Sequence, residues 1–446
     1  MSQDIPLDRV IRSSRVLVEG EFRAAAVALR GGHIVGIEPV DAVLDAIDDV
    51  TLPDGQVLIP GIVDSHVHVN EPGRTEWEGF ATATRAAARG GVTTIVDMPL
   101  NSIPPTTTVE ALEIKREAAL PQVVVDVGFW GGAVPSNLGA LKPLHDAGVF
   151  GFKCFLSPSG VDEFPHLDTA QLFEAMAEIA AFDGLLIVHA EDPAGLDAAP
   201  APEGPSYDAF VKSRPDSSEG SAIEHVIEAV RATGGRAHIL HLSSAQALEQ
   251  IRAAKAEGLR ITVETCPHYL SFDAEHIPDG ATQYKCCPPI RDAHNQELLW
   301  GGLADGTIDI VASDHSPSTP ELKFAGGGDF DVAWGGISGL ELSFRAVWTG
   351  AAQRGIPLSR VLAWMSTGTA DLVGLGDKGR IAVGARADLV AFDPDQVSVV
   401  DATQLAHKNP VSAFDGSELR GRVVTTWVGG VDVETDARAP RLLRRA

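Results

Sequence analysis

Apolar and polar positions are patterned in two different ways along this chain. Up to about residue 56, short apolar runs at 15–18, 24–29 and 33–37 are separated by Gly20 and the pair Gly31-Gly32, the spacing of a β-meander. The middle run, Ala24-Ala25-Ala26-Val27-Ala28-Leu29, suits a helix as well as a strand because of its alanines. The same texture returns at 387–392 and 422–428, with Gly429-Gly430 as a turn. β-rich ends around a different middle predict one small β-sandwich domain assembled from both termini, residues 1–58 and 376–446. The basic stretch 439–446 reads as a loose arm.

Over residues 59–375 the pattern changes to strands alternating with helices. Near-continuous Val/Ile/Leu runs end at Val63, Val96, Val125, Phe155, Val188, Leu240, Val263 and Ala312. Such runs belong to strands buried on both faces, as in a parallel sheet. Helical periodicity falls between them, at 77–89, 108–118, 169–181, 218–232, 245–257 and 295–303. Eight repeats of this kind predict an α/β fold, a (β/α)8 TIM-like barrel, whose chemistry gathers at the C-terminal ends of the strands. Gly326-Gly327-Gly328 lacks the Gly-Lys-Ser/Thr of a phosphate loop and reads as a flexible loop.

Polar residues at those strand ends are the candidate chemistry. His66 and His68 close the first strand, and a separation of two puts both on one face. Strand five ends on His189, strand six on His241 and strand eight on Asp314. A single histidine at a strand end is ordinarily a hydrogen-bonded structural residue. Four histidines and an aspartate at the ends of one barrel favour a divalent metal, since nitrogen and oxygen donors suit Zn, Fe, Co or Mn. Lys153 sits inside the aromatic run Phe150-Gly151-Phe152-Lys153-Cys154-Phe155. It is either paired with a carboxylate or carbamylated, since a lone buried ammonium is costly. By strand parity His238 faces away from His241 and packs under a helix. His268 is placed near the site without being a ligand, and His315 at the pocket wall. His33, His145, His166, His225, His276, His294 and His407 are assigned structural roles.

Composition excludes some partners. The 446 residues are 44% hydrophobic and 22% charged, with a net charge of −26, which argues against nucleic acid and anionic membranes. Cys154, Cys266, Cys286 and Cys287 form no spaced framework and read as free thiols of a reducing cytosol, not as a Cys-x-x-Cys metal site. The N-terminus has no signal-peptide pattern, and no run is long enough to span a membrane. These features predict a cytoplasmic enzyme acting on a small molecule.

The His66/His68 pair, the other strand-end residues, and the segment from Gly379-Arg380-Ile381 to Ala387-Asp388-Leu389-Val390 resemble the cyclic amidohydrolases of the amidohydrolase superfamily, which includes dihydroorotases and hydantoinases. The resemblance covers essentially the whole chain. Three stretches are more similar to its allantoinase branch: 70–80, with Asn70 where dihydroorotases usually carry arginine; 97–106; and Asp314-His315-Ser316-Pro317 with 334–339. This resemblance implies two divalent metals, zinc first among them, bridged by a carbon dioxide adduct of Lys153. It further implies that His66, His68, His189, His241 and Asp314 complete the ligand set, that Asp314 is the catalytic base, and that the enzyme is a homotetramer. The implied reaction is hydrolysis of the ring amide of allantoin to allantoate. Asn101, Ser316 and the backbone at Cys287 are candidates for holding the ureide, although Cys287 stands where a serine is expected. A hydantoinase or dihydropyrimidinase is the second expectation, and a non-catalytic scaffold relative the third.

Overall fold

The computed structural model describes residues 6–435 and 441–445. Strands β1 (Leu7–Val18), β2 (Glu21–Arg30), β3 (His33–Glu38), β4 (Ala46–Thr51) and β5 (Val57–Pro60) form one end of the chain. Nine short strands follow: β6 (Ile62–Val67), β7 (Val92–Asp97), β8 (Asp126–Phe129), β9 (Gly131–Gly132), β10 (Phe152–Phe155), β11 (Leu185–His189), β12 (Arg236–Ile239), β13 (Ile261–Thr265) and β14 (Ile310–Val311). Strands β15 (Leu389–Val399), β16 (Glu418–Val428) and β17 (Val431–Asp432) close the described order.

The two ends share one sheet, in the order β17-β16-β15-β5-β1-β2-β3, with β4 alongside β1. They meet where β5 and β15 run antiparallel, Leu389 opposite Pro60 and Phe392 opposite Val57. Ile11, Val16, Val27, Leu58, Leu389 and Trp427 form a core of this sheet. The alanine run is a strand: pairing with β1 and β3 buries Ala25 to Leu29 and overrides the helical preference of alanine. At the junction with β6, a side chain on Gly61 would meet Thr93 Oγ1 at 2.1 Å, so only glycine fits.

The middle of the chain is α/β, built on two parallel sheets, β14-β13-β12-β11-β10-β9 and β6-β7-β8. Backbone hydrogen bonds join them at both edges: His68 N to His315 O, 2.8 Å, and Phe150 N to Phe129 O, 3.0 Å. Helices including Phe80–Arg89, Val109–Ala119, Thr169–Ala180, Asp216–Thr233, Leu248–Ala256 and Ala293–Asp305 connect the strands. Their starts carry caps: Thr108, Asp168 and Asp292 each accept from an N–H three residues on, and Gln171 completes a capping box with Asp168. Lys378 is buried between Asp126 (2.8 Å) and Asp388 (2.5 Å), tying β8 to the terminal sheet.

Three local expectations are corrected. The third strand runs Asp126–Phe129 and does not end at Val125, because its buried opening aspartate is neutralised by Lys378. The stretch 245–257 is a 3-10 turn, Ala245–Ala247, followed by the helix Leu248–Ala256. Residues 441–445 are not a loose arm: Leu442 bridges Val127, Leu443 is buried, and Leu443 N donates to Val127 O at 2.8 Å. Residues 439, 440 and 446 lie outside the described residues. Among the described residues, no helix is long and apolar enough to cross a membrane.

Candidate metal centre

Strand ends deliver the candidate ligands to one place. His66 Nε2 lies 3.0 Å and His68 Nε2 3.5 Å from Asp314 Oδ1, across the seam between β6 and the end of β14. These three groups satisfy the spacing of a cation site. The rings of His66 and His241 are 5.4 Å apart, and His189 Nδ1 lies 2.9 Å from His241 Nε2. His68, Lys153, His189, His241 and Asp314 line a single cavity of about 390 Å3, with Asn101, Cys287 and Ser316 also on its wall. His66 is fully buried behind it.

The backbone is strained here. Of six described non-glycine residues with positive φ, four belong to this region: Asn70 (65°), Asn101 (63°), His241 (36°) and Asp314 (45°). The conformation of His241 explains a further correction. Strand β12 stops at Ile239, and the left-handed turn at His241 breaks the two-residue parity counted from His238. Both histidines therefore face the same network. His66 Nδ1 donates to Glu264, whose other oxygen accepts from His238 Nε2 at 3.0 Å, and His238 Nδ1 pairs with Thr262 Oγ1 at 2.8 Å. His238 does not pack under a helix. Nor does His315 line the cavity: its Nε2 pairs with Glu78 at 3.2 Å and its Nδ1 accepts from Gly339 N and Leu340 N.

Two carboxylates hold candidate ligands from behind. Glu264 holds His66, and Glu191 accepts from His189 Nε2 at 2.8 Å while Arg214 grips it at 2.9 and 2.6 Å. Burial opposes ionisation of both acids, but the surrounding positive groups outweigh it and hold both well below the usual carboxylate range. His66 is raised to about 9, because Asp314 and Glu264 overcome its burial. Burial, reinforced by Lys153, lowers His68 to about 3. Burial also depresses His189 and His241, so three of the four imidazoles are neutral, the form a metal requires.

Lys153 is 1% exposed and its side chain makes no ion pair or hydrogen bond among the described residues; its Nζ lies 4.9 Å from the Phe155 ring centre. The carboxylate-paired alternative is thus absent. Burial lowers its pKa to about 8. Buried nitrogens without hydrogen-bond partners include His68 Nδ1 and His241 Nδ1. An unpartnered amine and such nitrogens beside Asp314 fit a bound cation and a carboxylated lysine. Sequence reasoning missed Glu191, Arg214 and Glu264. Glu264 carried a readable signal, a charge within the apolar strand Ile261–Thr265, and Glu191 another, two residues beyond His189.

Comparison with known proteins places these observations. The family model described as the amidohydrolase family matches residues 57–433. A Streptomyces avermitilis protein named allantoinase is 56% identical over 430 residues, covering 96% of each chain. One from Arabidopsis thaliana with the same name is 44% identical, covering 94% of this chain and 87% of its own. The solved L-hydantoinase (dihydropyrimidinase) from Arthrobacter aurescens superposes with a TM-score of 0.90 at 31% identity, covering 98% of each chain.

Proposed function

The chain belongs to the amidohydrolase family, and from that premise we propose that it hydrolyses the ring amide of allantoin to allantoate. The observation that carries the substrate is the 56% identity, over nearly the full chain, with the Streptomyces avermitilis allantoinase, against 31% with the hydantoinase of similar fold. We read the parallel strands as a (β/α)8 barrel over 59–375, with residues 1–58 and 376–446 forming the β-sandwich domain. Its setting is the cytoplasm and its assembly a homotetramer.

His66, His68, Lys153 as its carbamate, His189, His241 and Asp314 are the residues that would hold two divalent cations, zinc first, with Fe, Co or Mn accepted by the same donors. Bound there, the cations supply acidified water and polarise the ring carbonyl. Asp314 takes the proton of the attacking water and returns it to the ring nitrogen as the C–N bond breaks. Burial opposes ionisation of Asp314, but the charge of His66 and hydrogen bonds from His66 and His68 outweigh it and keep the carboxylate ionised. Asn101 and Ser316, with the backbone at Cys287, orient the ureide on the cavity wall. Glu264 and Glu191 fix the rings of His66 and His189.

A substrate panel on metal-loaded protein tests this reading. Turnover of allantoin above that of hydantoin and dihydrouracil is expected. Turnover of hydantoin or dihydrouracil with none of allantoin assigns the chain to the hydantoinase branch, and no turnover of any cyclic amide favours a scaffold.

A further inference from the structure

We propose that Cys266, His268 and Asp314 form an additional cation site, selective for a thiophilic divalent ion such as zinc or cadmium, whose occupation arrests turnover. Cys266 follows β13, and His268 stands in the short helix Pro267–Ser271. The Cys266 thiol, a ring nitrogen of His268 and a carboxylate oxygen of Asp314 all lie within 4.8 Å of one another, and all three residues are buried. Zn–S and Zn–N bonds of about 2.3 and 2.0 Å place tetrahedral donors roughly 3.5 Å apart, so small side-chain adjustments close the site.

A second observation points to a ligand. His268 is 1% exposed, yet its Nε2 has no hydrogen-bond partner among the described residues. A buried imidazole nitrogen left unpaired is unfavourable, and a cation relieves it. The six ligand positions proposed for the hydrolytic centre offer nitrogen and oxygen only. Cys266 adds sulfur, which selects soft cations. On binding, the S–H bond breaks, a metal–sulfur bond forms, and the proton passes to solvent.

The site itself does not depend on the proposed reaction. Its inhibitory effect does, because the cation takes the carboxylate that Asp314 would use as base. The test titrates metal-loaded enzyme with cadmium and follows bound metal, the ultraviolet sulfur-to-cadmium charge-transfer band and allantoin turnover. Additional cadmium per chain, a thiolate band and loss of turnover are expected together. Cys266→Ser should remove the band and raise the half-inhibiting cadmium about tenfold or more, as loss of a ligand does. His268→Asn should weaken cadmium binding in the same direction, which guards against misfolding of either variant. A band of wild-type strength in Cys266→Ser, or no band in the wild type, overturns the site. A Cys266-dependent band with turnover unchanged leaves the site standing and overturns its link to Asp314.

Discussion

Replacing Glu264 probes the centre without touching a proposed ligand. Glu264 is 1% exposed; one oxygen takes the Nδ1 proton of His66, the other accepts from His238 Nε2 at 3.0 Å. Its first oxygen also accepts from the backbone N–H of His241 at 3.2 Å. Glu264→Gln keeps the shape but removes the charge that fixes the His66 ring and turns one acceptor into a donor. Carboxylates behind metal-bound histidines contribute about 10–100-fold to metal affinity or activity, which corresponds to about 1.4–2.8 kcal/mol. Glu264→Ala goes further and orphans three buried N–H groups, those of the His66 and His238 rings and of the His241 backbone, at about 1–3 kcal/mol each, or about 3–9 kcal/mol of stability. Chelator competition measures the first variant and denaturant unfolding the second. Metal affinity and turnover of Glu264→Gln within about twofold of wild type would refute the orienting role.

Other perturbations have equally definite outcomes. Asp314→Asn cannot take up the proton of water and should abolish turnover; near-normal kcat excludes it as the base. Carbamate formation needs the neutral amine of Lys153, and burial places its pKa at about 8. At a fixed concentration of dissolved carbon dioxide, reactivation of metal-stripped protein should therefore speed up as pH rises towards about 8 and level off above it, as for any amine nucleophile; a flat rate profile under that condition contradicts a carbamate. Lys378→Met takes from the buried Asp388 carboxylate the cation that it shares with Asp126, which keeps Arg441 at 3.6 Å, and should cost about 3–5 kcal/mol in chemical denaturation. A cost below about 1 kcal/mol would show that the pair is not held by Lys378.

Much of this organisation was legible in the pattern of the chain. Runs apolar on both faces marked the parallel strands, because such strands are covered on both sides. The strand-end rule then picked out His68, Lys153, His189, His241 and Asp314, which the structure gathers around one cavity. What escaped depended on tertiary context. Parity failed at His238 because His241 turns into the left-handed region, a conformation no periodicity encodes. The β8 boundary failed because Asp126 looks like a turn residue until Lys378, 252 positions away, neutralises it. Tail residues 441–445 looked loose from their basic composition, yet their backbone pairs with Val127. Charged residues inside apolar runs carry a signal of their own: Glu264 within Ile261–Thr265 has the same signature as Lys153 within Phe152–Phe155.

The most direct test of the central claim is allantoin turnover as metal is returned to stripped protein in the presence of bicarbonate. The account predicts no turnover without metal, then activity that rises with occupancy and levels off at about two cations per chain, as expected for a two-metal hydrolase. Full activity in metal-free protein, or none at any occupancy with any of Zn, Fe, Co or Mn, would contradict it.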